Sequence, residues 1–174
     1  MNVQGLSAAS LNGQSGVQRI DVKGLSKSFQ LGGTAIEAVR DISFSVRRGE
    51  FVALLGPSGS GKSTILNMIA TLVKPSSGQI LIDGRPVVAG KATPGVGYVF
   101  QRDTLFPWRT VADNIGYGLQ LAGIADAERK ERVAACVAQA GLNGFEHAYP
   151  SALSGGMRQR AALMRTLVVE PQIL

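Results

Sequence analysis

Cysteine, histidine and tryptophan each occur once in these 174 residues, and each scarcity closes off a class of function. Cys136 has no partner for an internal disulfide, and with His147 as the lone histidine nothing stands at zinc-ligand spacing. A reducing compartment suits such a chain. No window approaches the ~18 consecutive apolar residues of a membrane-spanning helix. The opening MNVQGLSAASLNGQSGVQ lacks both the basic start and the apolar run of about 7–15 residues that mark a secretory signal. Its Ser, Gly, Asn and Gln read as a flexible tail over residues 1–17. Charge is sparse at 17% of residues. The net charge of +6 would suit nucleic acid or an anionic membrane, but the Lys and Arg are scattered without a block, so a solvated surface accounts for them. Heptads and internal repeats are absent as well.

Apolar residues are plentiful at 45%, enough for a globular core. QRIDVKGLSKSFQ and IEAVRDISFSV alternate like strands and are separated by LGGT, which predicts an antiparallel pair. FVALL, residues 51–55, is short, wholly apolar and closed by glycine, the pattern of a strand buried on both faces. A helix is expected from about Gly61, with Ile65, Met68, Ile69 and Leu72 as its apolar stripe and KPSSG as its stop. QILIDG and VGYVF are further strand candidates. Between Asp103 and Leu153 the chain reads as helical: TVADNIGYGLQLAGI, then DAERKERVAACVAQAGL with Asp126 as N-cap and Val133, Cys136, Val137 and Ala140 as its stripe. Cys136 on that stripe reads as packing rather than reactivity, and His147 as a surface loop residue. A last helix begins near Gly155 and ends before Pro171, and QIL looks like a strand starting.

The segment LLGPSGSGKSTIL, residues 54–66, matches G-x-x-x-x-G-K-[ST] at Gly56, Gly61, Lys62 and Ser63, after a predicted strand and opening a predicted helix. Glycines let successive backbone N–H groups turn inward as a concave nest backed by a helix N-terminus, a geometry that favours phosphate oxygens. Lys62 would bridge the β and γ phosphates, and the Ser63 hydroxyl would ligate Mg²⁺, a hard cation that prefers oxygen. A P-loop alone leaves kinases, GTPases, helicases and transport ATPases open. A second glycine-bearing helix start, LSGGMRQR at residues 153–160, is another anion-binding N-terminus, though Ser154 also serves as an ordinary N-cap.

With those residues in view, the chain resembles the ATP-binding subunit of an ABC transporter over residues 18–174. GPSGSGKST is similar to that family's Walker A loop, Gln101 in YVFQRD to its Q-loop glutamine, LSGGMRQR to its signature motif, and Phe29 in LSKSF to the aromatic residue that stacks on adenine. LFPWRTVADNI and Met157 after SGG look most like importers of the nitrate, sulfonate and taurine type. Met157 stands where that family more commonly has glutamine, a departure that does not touch backbone donation from the preceding glycines.

The resemblance implies an α/β P-loop NTPase (RecA-like) core with an antiparallel β subdomain and an inserted helical subdomain, incomplete at the C-terminus. The core would comprise residues 18–101 and 155–174, and the helical signature subdomain residues 102–154. ATP and Mg²⁺ would be held by Phe29, by Gly56, Pro57, Ser58, Gly59, Ser60, Gly61, Lys62, Ser63 and Thr64, and by Ser154, Gly155 and Gly156 facing the nucleotide of a second ATP-binding subunit in a head-to-tail dimer. Lys62 and Gln101 would act in catalysis, and Ser63 and Gln101 on the metal. Transmembrane permease subunits, with Phe106, Pro107 and Trp108 as candidate contacts, and indirectly a periplasmic solute-binding protein complete the implied partners. Nucleic acid is not among them, and the place is the cytoplasmic face of the inner membrane, peripherally. The family's Asp-Glu pair falls just past Leu174, so the 174 residues read as part of a longer ATPase and as hydrolysis-deficient by themselves. The alternative is a non-hydrolysing nucleotide-binding regulatory module.

Overall fold

The structure, a computed structural model, describes residues 7–10 and 18–174. It falls into two units, one ending at Thr93 and one beginning at Pro94.

In the first unit the two alternating segments form the expected hairpin, β2 (Gln18–Leu31) and β3 (Thr34–Arg47), antiparallel. Gly32 and Gly33 make its two-residue turn with φ of 56° and 82°, the conformation that matches strand twist and that side chains resist. β5 (Ser77–Ile82) pairs antiparallel with the other edge of β2, and β6 (Arg85–Pro86) with β5, giving the order β3-β2-β5-β6. Ile20, Val22, Ile80 and Ile82 are buried at the period of two that a one-faced sheet requires.

Bulges bend this sheet. Gly24, with φ 56°, is the extra residue on β2, and its N–H donates to Ser43 Oγ at 2.9 Å. The Gly24 carbonyl in turn sits 2.2 Å from where a Cβ on Gly78 would lie, so position 78 admits only glycine. On β3 the register passes from Lys27↔Val39 to Ser28↔Glu37, leaving Ala38 as an extra residue.

Two expectations change here. β4 (Val52–Leu55) is a strand, but it is only half-buried and pairs antiparallel with β1 (Ser7–Ser10), with Leu55 exposed. A strand is buried on both faces only when both sides are covered, and among the described residues β4 has this single strand neighbour. Four residues read as tail are therefore strand; the rest of that tail lies outside the described residues. α1 (Lys62–Ile69) buries Ile65 and Met68 as expected. It ends well before KPSSG, because Thr71 turns left-handed at φ 63° and takes the buried place, donating through Oγ1 to Lys91 O at 2.8 Å and leaving Leu72 exposed.

The second unit is helical: α2 (Val111–Leu121), α3 (Asp126–Gln139), a 3-10 turn (Pro150–Ala152) and α4 (Gly155–Leu167). Thr110 caps α2, accepting from the Asp113 N–H at 3.1 Å. At α3 the cap is Ala125 rather than Asp126; Asp126 is already helical, where its carboxylate suits the positive helix end and pairs with Arg129 at 2.9 Å. One core unites Val111, Ile115 and Leu119 of α2, Val133 and Val137 of α3, and Ala161, Met164 and Val168 in and just after α4, with Cys136 and Met157 packed at its margin. α4 shares this apolar core with α2 and α3. VGYVF and QIL contribute not strands but a single parallel bridge, Val96↔Ile173.

Asn114, fully buried on α2, holds the loop before that helix. Its Oδ1 accepts from the Phe106 N–H at 2.7 Å, and its Nδ2 donates to the carbonyls of Phe106, Arg109 and Thr110 at 2.9–3.1 Å. Asn114→Leu takes this partner from the Phe106 N–H and the Arg109 carbonyl, while the Phe106 and Thr110 carbonyls keep their backbone donors, and is expected to lower stability by about 1–3 kcal/mol, read as the shift of the urea unfolding midpoint for this unit.

Candidate functional site

The loop between β4 and α1 takes its shape from its glycines. Gly59 and Gly61 are left-handed at φ 80° and 89°, and Ser60 N donates to Pro57 O at 3.3 Å to close a turn. Position 61 is doubly restricted: besides that φ, a Cβ there would fall 2.4 Å from the Ala38 carbonyl and 3.0 Å from Val39 Cγ2. The bulge at Ala38 thus receives the end of the glycine loop, and α1 starts at the next residue, with Ile65 N donating to Gly61 O at 2.9 Å. No side chain caps α1 and its first turn carries no acidic residue, so its first N–H groups are left for an anion. By contrast α2 and α3 both place acidic residues in their first turns.

Lys62 folds back over this loop. Its ammonium donates to Gly56 O at 2.8 Å, Pro57 O at 2.6 Å and Ser60 Oγ at 3.2 Å, so a cation stands at the mouth of the nest. Ser63, in the first turn of α1, is exposed. A hydroxyl, a glutamine carbonyl and the oxygens of a polyphosphate are the donors a hard cation prefers, so Ser63 and Gln101 have the chemistry for Mg²⁺. Among the described residues no group of His, Cys, Asp and Glu forms a metal cage of its own. Phe29 lies on β2 in the same unit, 41% exposed, with its ring available to stack.

The second unit carries the other half of the expected set. Ser154 is the N-cap of α4, its Oγ accepting from the Met157 N–H at 3.3 Å, which leaves the hydroxyl proton free to be donated. Gly155 and Gly156 are exposed, and a Cβ on either would meet only an arginine tip at 3.9 Å. Nothing in the chain's own packing demands glycine there, in contrast to Gly61 and Gly78; the open backbone faces outward. The first turn of α4, like that of α1, has no acidic residue.

Gln101 is exposed in a bend, and the residues after it are held by α4. Arg158 pairs with Asp103 at 3.1 Å and donates to Leu153 O at 2.7 Å, while Arg165 donates to Thr104 O at 2.7 Å and Thr104 Oγ1 at 2.5 Å. Partial burial holds the Arg165 guanidinium below its ordinary value. Arg158, Arg165 and Asn114 were missed in the sequence; the one signal was the spacing of Arg158 and Arg165, two helical turns apart on one face. Phe106 packs edge-on against Tyr117 at 4.8 Å and beneath Arg165 at 5.4 Å, whereas Trp108 is 71% exposed and no part of the core. Burial pushes the Cys136 thiol up, away from the reactive thiolate, as a packing role predicts. His147 is exposed, in keeping with a surface loop.

A family model for ABC transporters matches residues 39–174. The chain belongs to the ABC transporter family. It is 45% identical over 156 residues to an uncharacterised ABC transporter ATP-binding protein of Methanocaldococcus jannaschii, covering 90% of this chain and 58% of that one. It is 43% identical over 155 residues to the taurine import ATP-binding protein TauB of Yersinia pestis, covering 89% and 58%. It is 42% identical over 154 residues to an Fe(3+) import ATP-binding protein of Pasteurella multocida, covering 88% of this chain and 43% of that one. Among solved structures, a dimeric post-hydrolysis ATP-binding cassette bound to ADP and Pi superposes with a TM-score of 0.74 at 32% identity, over 87% of this chain and 70% of that one. The P-loop NTPase fold expected from the motifs is therefore the fold of this ABC chain. The chain spans about half the length of the curated relatives it matches, from 40% to 58%.

Gly61→Ala tests the loop's dependence on the β3 bulge. The added methyl has to displace the Ala38 carbonyl or the loop, and Mg·ATP affinity measured by calorimetry is expected to fall at least tenfold, while Gly155→Ala, which meets no backbone, leaves the unfolding midpoint unchanged.

Proposed function

We propose that this chain is the nucleotide-binding part of an importer ATPase, which couples binding and hydrolysis of Mg·ATP to movement of a small anionic solute of the nitrate, sulfonate or taurine kind through a partner permease. The observation that carries the reading is the pair of uncapped or glycine-opened helix starts without first-turn carboxylates, one behind the Gly56–Ser63 loop and one at Ser154. One chain with two phosphate-seeking helix starts suits a head-to-tail pair, each nucleotide lying between the glycine loop of one subunit and Ser154, Gly155 and Gly156 of the other. The dimeric solved relatives support this arrangement.

Within it, the loop amides and Lys62 bind and orient the polyphosphate and Phe29 stacks on the base; Ser63 and Gln101 would be the residues that hold Mg²⁺, which would supply charge neutralisation at the phosphates. Only a triphosphate reaches both surfaces, so ATP favours the closed pair, and hydrolysis removes that preference. Gln101 would report the nucleotide's state to the helical unit, because the residues that follow it are fastened to α4 by Arg158 and Arg165. The exposed Trp108, next to the half-buried Phe106, is the candidate permease contact. The protein would sit peripherally at the cytoplasmic face of the inner membrane, and no helix among the described residues is long and apolar enough to cross it. The taurine importer among the relatives and the LFPWRTVADNI segment support the choice of solute; a periplasmic solute-binding protein would deliver it.

Two measurements test this. Lys62→Ala in the complete protein is expected to weaken Mg·ATP binding at least a hundredfold and abolish ATP turnover; binding undiminished by that change defeats the nucleotide reading. A strain lacking the gene is expected to lose growth on taurine, a sulfonate or nitrate as sole source of sulfur or nitrogen, and growth on all three would overturn the choice of solute.

A further inference from the structure

Lys27 stands two residues before Phe29, and in a strand that spacing puts both side chains on one face. The β3 bulge opposite them adds its extra residue to the partner strand and so leaves this face intact. Lys27 is not a free surface lysine. It is half-buried, its ammonium donates to the Lys74 carbonyl at 2.8 Å, and the same ammonium lies 4.9 Å from the centroid of the Phe29 ring. The turn that offers this carbonyl is itself pinned to β2: Ser76 N donates to Ser26 O at 2.9 Å, and Ser28 N donates to Ser76 Oγ at 3.0 Å.

A cation, a carbonyl and a fastened turn thus converge on one face of a ring whose residue is 41% exposed. An ammonium on one face of a phenyl ring has two effects. It fixes the plane of the ring, and it draws electron density toward itself, which makes the opposite face a better platform for an electron-rich purine. We infer that Lys27 is a positioning residue for the nucleotide base, holding Phe29 from behind so that its other face is offered to adenine.

The inference rests on the reading that Phe29 stacks on the base, and the experiment separates the two. Calorimetry on the complete protein compares Mg·ATP with magnesium tripolyphosphate, which has the phosphates and no base. Lys27→Gln removes the charge while keeping a donor for the Lys74 carbonyl; Lys27→Arg keeps both. The expected result is a loss of ATP affinity of about three- to tenfold for Lys27→Gln, with tripolyphosphate unchanged, near-complete recovery in Lys27→Arg, and no further loss when Lys27→Gln is added to Phe29→Ala. Equal losses for ATP and tripolyphosphate would reduce Lys27 to a general positive charge and overturn the inference. So would an ATP affinity untouched by Lys27→Gln while Phe29→Ala lowers it. If Phe29→Ala itself leaves ATP binding unchanged, the stacking reading has failed and this inference falls with it. Coincident thermal unfolding curves show that the variants compared are folded; should Lys27→Gln not fold, Lys27→Met is judged by the same ratio.

Discussion

A backbone carbonyl, that of Ala38, lies where any side chain at position 61 would have to go. This close approach ties the glycine loop to the β2–β3 hairpin and fixes where α1 begins, because Gly61 is both the last residue of the loop and the cap of the helix. The extra residue that presents the carbonyl sits across from Lys27 and Ser28, immediately before Phe29. One bulge thus meets the glycine loop at the phosphate end of the proposed nucleotide site and lies beside Phe29 at its base end. A displaced bulge would move both.

In the helical unit the comparable constraint is α4. Its start is opened by Ser154 and two glycines that the fold itself does not need, and further along Arg158 and Arg165 hold the residues that follow Gln101. The same helix also contributes Ala161, Ala162 and Met164 to the apolar core shared with α2 and α3. In the proposed function this helix, its start open at Ser154 and its body anchored to the segment after Gln101, would be a short physical route from nucleotide to the neighbouring loop, which Asn114 holds.

What could be seen in the sequence was whatever local chemistry dictates. Glycine spacing and the strand–loop–helix context gave the phosphate loop; alternation and a Gly-Gly turn gave the hairpin; a serine before a glycine pair gave the start of α4. What could not be seen depends on neighbours distant in sequence. The Phe51–Leu55 run reads as a doubly buried strand, yet burial is a property of what packs on both sides, and β4 has β1 alone beside it. VGYVF has strand propensity but gains only the bridge at Val96. Asn114 looks like one polar residue on an apolar stripe, and its role appears only once four backbone groups converge on it. Thr71 breaks α1 through a left-handed turn that its hydrogen bond to Lys91 sustains, a competition no periodicity reveals.

In the proposed function, backbone amides around Gly59 to Ser63, arranged by the Gly61–Ala38 contact and closed by Lys62, grip the polyphosphate of a nucleotide. Residue-resolved amide NMR of the complete protein titrated with Mg·ATP measures this directly. The N–H resonances of Gly59, Gly61, Lys62 and Ser63 are expected to shift the most on saturation, downfield as charge-assisted hydrogen bonds form. Resonances that stay in place at those four residues, while others move, would contradict it.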